Sequence, residues 1–169
     1  QQLVVADAEA GLRPWLVIGS AGTTDVGAID PMPAIADIAA AHRLWFHLDA
    51  AYGAFFALCD ESRELLKGMD RSDSIVMDPH KGLFLPFGVG IVLVRDAALL
   101  AATHSYSGHY MQDAMQDHSE VSPADLSPEL SKHFRALRMW LPLILEGTAP
   151  FAAALEEKLL LARYFRREI

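Results

Sequence analysis

The chain has 169 residues, 52% of them apolar and 21% charged, a balance that suits one globular domain with a two-sided core and excludes wholesale disorder. Its formal charge of -8 argues against non-specific binding to nucleic acid or anionic lipid, because both need clustered Lys and Arg. A single cysteine, Cys59, excludes an internal disulfide framework and a cysteine metal site, and fits a reducing, cytoplasmic address. No apolar run approaches the ~20 residues that cross a bilayer. The opening QQLVVADAEAGLRP lacks the basic start, apolar stretch and cleavage site of an export signal. It also lacks a Met, and LLLARYFRREI stops inside a helical pattern, so both ends are expected to be cut.

In chain order, WLVIG (15–19) predicts a buried strand between Pro14 and a Gly-Thr-Thr turn. A helix is expected next, capped by Asp30, with Pro31 near its first position and Ile35, Ile38 and Ala39 on one face. LWFHLDAA (44–51) predicts a second strand, residues 60–70 a short polar helix, and SIVMD (74–78) a third strand ended by Pro79. GVGIVLVRD (88–96) follows too soon for a helical crossover, which predicts an antiparallel partner for the third strand and a mixed sheet. A short Ala/Leu helix is expected over 96–103, then a long polar loop over 104–130, a length that is usually functional. The spacing of Phe134, Leu137, Leu141 and Leu145 predicts a helix from Ser131, kinked at Pro142 and ended by Gly147, before a last helix from Pro150. Strands alternating with helices give an α/β fold, read as one unit over 1–169.

Polar groups collect where the predicted strands end: Thr23 and Thr24 after the first, Asp49 at the second, and Asp78, His80 and Lys81 after the third. In open α/β sheets, ligands bind outside the carboxyl ends of the strands. Asp49 stands in an apolar run, where a carboxylate must be paired or hydrogen-bonded. A buried ring cation would satisfy it, and so would a plain capping role. Lys81 is followed by Leu83, Phe84, Leu85 and Phe87, a context in which a desolvated amine attacks carbonyls. A surface lysine is the ordinary alternative. His47 and His80 with Asp49 lack a third-ligand pattern, so no metal site is expected; a hydrogen-bonded core His47 and a turn His80 are the better readings.

Together, GSAGTTDVGAIDP (19–31), HLDAAYG (47–53) and DPHK (78–81), in this order and spacing, resemble the pyridoxal-phosphate-dependent decarboxylases of aromatic amino acids, histidine and glutamate. KHFRALRMW (132–140) resembles the helix after the mobile loop of that family. The resemblance implies a partial large domain of a fold-type I enzyme: a mostly parallel sheet with one antiparallel strand, followed by helices, without the upstream segment and small C-terminal domain. It implies decarboxylation of an L-amino acid on pyridoxal 5'-phosphate, with Lys81 forming the Schiff base and Asp49 facing the pyridine nitrogen. Thr24 would lie near the ring, His80 near the phosphate with Ser74 and Asp78 contributing, and Tyr110, in SGHYMQDA, would protonate the decarboxylated carbon. The family's loop crosses a dimer interface, which implies a homodimer.

Gly82 departs from the pattern, since the family often carries a bulky residue after its lysine. Other pyridoxal-phosphate lyases, such as carbon–carbon lyases or desulfurases, and an inactive truncated binding module are the competing readings. The Gly-Thr-Thr and Tyr110 matches favour decarboxylation.

Overall fold

The computed structural model describes residues 1–105 and 122–169. The chain divides into two compact units, Gln1–Leu93 with Arg135–Ile169, and Val94–Phe134.

The first unit is built on a four-stranded sheet in chain order: β1 (Leu16–Ser20), β2 (Trp45–Asp49), β3 (Ser74–Met77) and β4 (Ile91–Val94). β1, β2 and β3 are parallel, with Gly19 opposite Leu48 and Asp49 opposite Val76. β4 lies beside β3 and supplies the antiparallel pair. Successive strand residues face opposite sides. Phe46 and Leu48 are therefore buried on one side of β2, while Trp45, His47 and Asp49 share the other. The buried side packs on helix α2 (Met32–His42), whose stripe Met32, Ala36 and Ala39 follows the helical repeat. Phe46 and Leu48 are each almost fully buried, a burial that stabilises by roughly 1.5–3 kcal/mol per side chain.

Asp30 does not cap α2. Its carboxylate accepts the Ser20 N–H at 2.8 Å, while Pro31 holds the N-cap position without a side-chain bond. The acid thus closes the end of β1, a task that the sequence leaves indistinguishable from capping. Helix α1 (Gln2–Glu9) was not anticipated; it buries no residue. After β2 come an apolar 3-10 turn (Ala54–Leu58) and then, where the polar stretch 60–70 predicted one short helix, the helix α3 (Asp60–Arg63) and a second 3-10 turn (Met69–Arg71). One helical turn, α4 (Pro79–Gly82), follows β3.

Helices α6 (Leu137–Glu146) and α7 (Ala149–Glu168) complete this unit. α6 begins six residues later than the apolar spacing suggested, retains Pro142 inside it, and stops at Gly147 with φ 71°. α7 docks through Leu155, which is buried, and through a contact between Cys59 Sγ and the Ala152 carbonyl at 3.8 Å. The second unit comprises α5 (Ala97–His104), capped by Asp96, and a 3-10 turn (Pro123–Leu126) capped by Ser122. Among the described residues no helix is long and apolar enough to cross a membrane.

Candidate active site

The carboxyl ends of β1, β2 and β3 form one rim, because the three strands are parallel and adjacent. Neighbouring strands lie about 4.8 Å apart, so groups projecting from their ends meet on one ligand-sized surface. Backbone contacts hold the connecting loops together. Ala21 N–H donates to the Asp49 carbonyl at 2.8 Å, Ala50 N–H to Val76 at 3.1 Å, and Asp78 N–H to Ala51 at 3.1 Å.

The glycines of the first two motifs have a spatial cause. A Cβ on Gly53 would stand 1.9 Å from the Ala21 carbonyl oxygen, and one on Gly22 would stand 3.1 Å from the Gly53 Cα. Gly22 also has φ 91°, a conformation that L side chains rarely adopt. The Gly-Thr-Thr loop and the loop after Asp49 therefore touch backbone to backbone, which carries both to the same place. Within the first loop the two threonines part. Thr23 Oγ1 accepts the Ala28 N–H at 2.9 Å and shapes the turn, whereas Thr24 is exposed and its hydroxyl has no partner among the described residues.

Asp49 is exposed, not dehydrated as its apolar neighbours suggested. The side of the sheet that carries it is open among the described residues, with Ile18 on the same side 58% exposed. Its Oδ1 accepts the Ala51 N–H at 3.1 Å, the capping bond expected as the plain alternative. Its Oδ2 has no partner among the described residues.

Lys81 sits on α4, beside Asp78. Its Nζ lies 2.8 Å from Asp78 Oδ2, and its side chain is 35% exposed. An ion pair with a neighbouring acid therefore replaces the apolar setting expected for this amine. The register shows which side of the sheet it reaches. Asp49 is opposite Val76, and Asp78 lies two extended residues further on, with φ -114° and ψ 98°. Asp49, Val76 and Asp78 thus project to the same side, and the Lys81 amine, in contact with Asp78, follows them.

His80 is fixed by Val89, whose carbonyl only accepts, so Nδ1 donates to it at 3.2 Å. The ring packs against Phe87 with centroids 4.9 Å apart, and Nε2 stands 4.0 Å from Asp78 Oδ2. From α6, Arg138 donates to the Phe87 carbonyl at 2.9 Å and braces the turn that follows Lys81.

The two other residues expected near a phosphate are already engaged within the protein. Asp78 is a carboxylate paired with Lys81. Ser74 stands at the opposite end of β3 from Lys81, with its hydroxyl already engaged. Trp45 Nε1 donates to Ser74 Oγ at 2.8 Å, and His47 Nδ1 lies 2.7 Å from the same oxygen. Ser74 Oγ therefore bridges the Trp45 indole and the His47 ring. His47 is thus the hydrogen-bonded histidine that its strand position suggested. Among the described residues no three His, Cys, Asp or Glu side chains gather as metal ligands. Tyr110 lies outside the described residues.

The whole chain, residues 1–169, matches the family model described as the pyridoxal-dependent decarboxylase conserved domain. The chain belongs to the pyridoxal-dependent decarboxylase family. Its similarity to curated relatives agrees. It is 37% identical to an aromatic-L-amino-acid decarboxylase of Bacillus atrophaeus over 157 residues, 92% of this chain and 33% of that protein. It is 35% identical to a cysteine sulfinic acid decarboxylase of Mus musculus over 172 residues, the whole of this chain and 34% of the relative. Among solved structures, Oryza sativa TDC with PLP and tryptamine superposes with a TM-score of 0.88 at 32% identity, over 97% of this chain and 34% of that one. Mouse CSAD in apo form gives 0.86 at 30% identity, over 99% and 35%. The chain thus spans about a third of the length of the relatives it matches.

The donor set suits pyridoxal phosphate, the cofactor of this family. A primary amine and a carboxylate oxygen with no other partner among the described residues stand on one side of one rim, and the adjacent Gly-Thr-Thr loop carries an exposed hydroxyl, groups that suit an aldehyde-bearing aromatic cation. Sequence reasoning missed what supports them: the Gly22–Gly53 approach, the Trp45–Ser74–His47 chain and the pairing of Asp78 with Lys81. Only the last had a local signal, since an acid three residues before a lysine meets it within one helical turn.

Proposed function

We propose that the protein of which this chain is part decarboxylates an L-amino acid on pyridoxal phosphate held by Lys81. The observation that carries this reading is the Lys81 amine, anchored 2.8 Å from Asp78 on the side of the sheet where Asp49 keeps one oxygen unengaged. When bound, the cofactor is the electron sink for the charge left as carbon dioxide departs.

The protein residues do the rest. Lys81 supplies the amine that links to the cofactor aldehyde, and Asp78 holds that amine in place. Asp49 accepts the N–H of the pyridine ring and keeps its proton there, a charge-assisted bond stronger than a neutral one. Asp49 is itself oriented by Ala51 N–H, so it is preorganised before the ring arrives. Thr24 offers a hydroxyl from the adjacent loop. His80, its Nδ1 committed to Val89, meets a phosphate oxygen through Nε2 only as the doubly protonated imidazolium, which donates from both nitrogens. By resemblance Tyr110 returns a proton to the carbon that has lost its carboxylate. Relatives named for aromatic amino acids, tryptophan and cysteine sulfinic acid leave the side chain of the amino acid open. A cytoplasmic homodimer completes the proposal: it rests on the family's interface-crossing loop and on the lone reduced Cys59, and the acidic charge argues against nucleic-acid or membrane partners.

The test uses the full-length protein. Adding pyridoxal phosphate should raise absorbance at the violet edge of the visible range, and carbon dioxide should be released from one or more of a panel of aromatic and acidic L-amino acids. Lys81→Ala should lose both. Retention of the absorbance band in that variant would remove Lys81 from the cofactor site.

A further inference from the structure

The residue after Lys81 is a glycine for a reason outside its own backbone. Gly82 is buried and its φ is not positive, so no left-handed conformation demands it. Space does. A Cβ at this position would lie 2.9 Å from Phe55 Cδ2 and 3.0 Å from Phe55 Cβ. Contacts that short require Phe55 or the turn to shift, and the second is to the root of the phenyl side chain, which no rotamer change moves aside.

Phe55 comes from the 3-10 turn that starts five residues beyond Asp49. That turn is tied to the rim, since Ala54 N–H donates to the Ala50 carbonyl at 3.0 Å and Phe55 packs against the main core. The turn bearing Lys81 is less secure on its own. α4 is a single turn of four residues, and its N–H bonds to the Asp78 carbonyl lengthen from 2.9 Å at Lys81 to 3.4 Å at Gly82. An isolated helical turn is unfavourable without tertiary contact, because it fixes several dihedral angles for one bond. The chain then leaves through Phe84 in a left-handed conformation, φ 57°, so the segment also carries strain that its surroundings must hold.

We propose that Phe55 is a positioning residue for Lys81: its ring fills the space beside Gly82 and so fixes the turn that presents the amine, with residues 55 and 82 forming a size-matched pair. The bulk expected after the lysine is not lost; it is supplied from the Asp49 side. This sets the two chemical groups relative to one another, because the contact joins the segment that follows one to the turn that carries the other. The proposal rests on Lys81 being the cofactor lysine.

A rescue experiment in the full-length protein tests it. The measured step is attack of Lys81 Nζ on the aldehyde carbon of pyridoxal phosphate, forming the carbon–nitrogen double bond and releasing water. Its rate is followed by absorbance and by borohydride trapping with peptide mapping to Lys81, alongside the thermal midpoint of each variant. Gly82→Trp should slow trapping about tenfold or more and Phe55→Ala several-fold, whereas Phe55→Ala/Gly82→Trp should return to within about threefold of the parent, the non-additivity of residues in contact. Should Gly82→Trp not fold, Gly82→Ala with and without Phe55→Ala provides the same comparison. Losses that simply multiply in the double variant, or thermal midpoints that move while trapping rates stay fixed, overturn the pairing. In that case Lys81→Ala still abolishes trapping. Trapping that persists in Lys81→Ala overturns the cofactor assignment and this proposal with it.

Discussion

Asp49 and Lys81 show how far the surroundings of a residue can differ from those its neighbours in sequence suggest. Each stands in an apolar stretch, and each meets solvent and a polar partner, because strand alternation sends Phe46 and Leu48 inward and Asp49 outward. This exposure lets the chemical role of Asp49 be separated from its structural one. Its single bond among the described residues, a capping bond from Ala51 N–H, contributes about 0.5–2 kcal/mol. Asp49→Ala should therefore leave the urea midpoint close to that of the parent and lower turnover of the full-length enzyme by roughly a thousandfold, the scale of losing a preorganised electrostatic partner. Near-parental turnover would take Asp49 out of the chemistry. Ser74 makes the converse point. It sits in a motif-like position before DPHK, but its hydroxyl serves Trp45 and His47, and only the register of β2 on β3 reveals that.

Among the elements, β1 was legible as an apolar run between Pro14 and the Gly-Thr-Thr turn, β2 as one ending at small residues and β3 as one ended by Pro79; α2 was legible from Ile35, Ile38 and Ala39, although the side it buries is Met32, Ala36 and Ala39. α1 was not, since it has no capping bond and no buried side to produce a pattern. The start of α6 was set too early, because the apolar spacing continues through Phe134 while the helix begins at Leu137. The loops needed the structure most. Glycines in GSAGTT and HLDAAYG look like ordinary turn residues in sequence, yet Gly53 is glycine because the Ala21 carbonyl occupies the place of its side chain. Backbone atoms cannot rotate away, so Gly53→Ala must part the two loops. A destabilisation of about 2 kcal/mol or more is expected in urea denaturation, with weaker pyridoxal phosphate binding, as for other overpacked sites. A stability within about 0.5 kcal/mol of the parent, typical of a neutral surface change, would show that the approach is not required.

At the scale of the whole molecule, α7 is joined to the sheet unit by Leu155 and by Cys59, and the thiol gives that junction a pH signature. Burial raises the pKa of Cys59, and the nearby Glu156, Asp60 and Glu61 raise it further. The unfolded chain then loses this proton at lower pH than the folded one. The contribution of Cys59 is intact below the unfolded pKa and declines as pH rises through the folded value. Urea denaturation at pH 7 and pH 10 should show the stability difference between the parent and Cys59→Ala shrinking at the higher pH. A difference independent of pH would mean that the thiol is not buried at this junction. The order of strands bears on how the molecule is made. Because β1, β2 and β3 are neighbours in space in the order in which they occur along the chain, Thr24, Asp49 and Lys81 arrive at their rim from one unbroken stretch, with only short loops to close. During translation that stretch leaves the ribosome before α6 and α7 do, so the reactive edge can begin to assemble while those helices are still being synthesised.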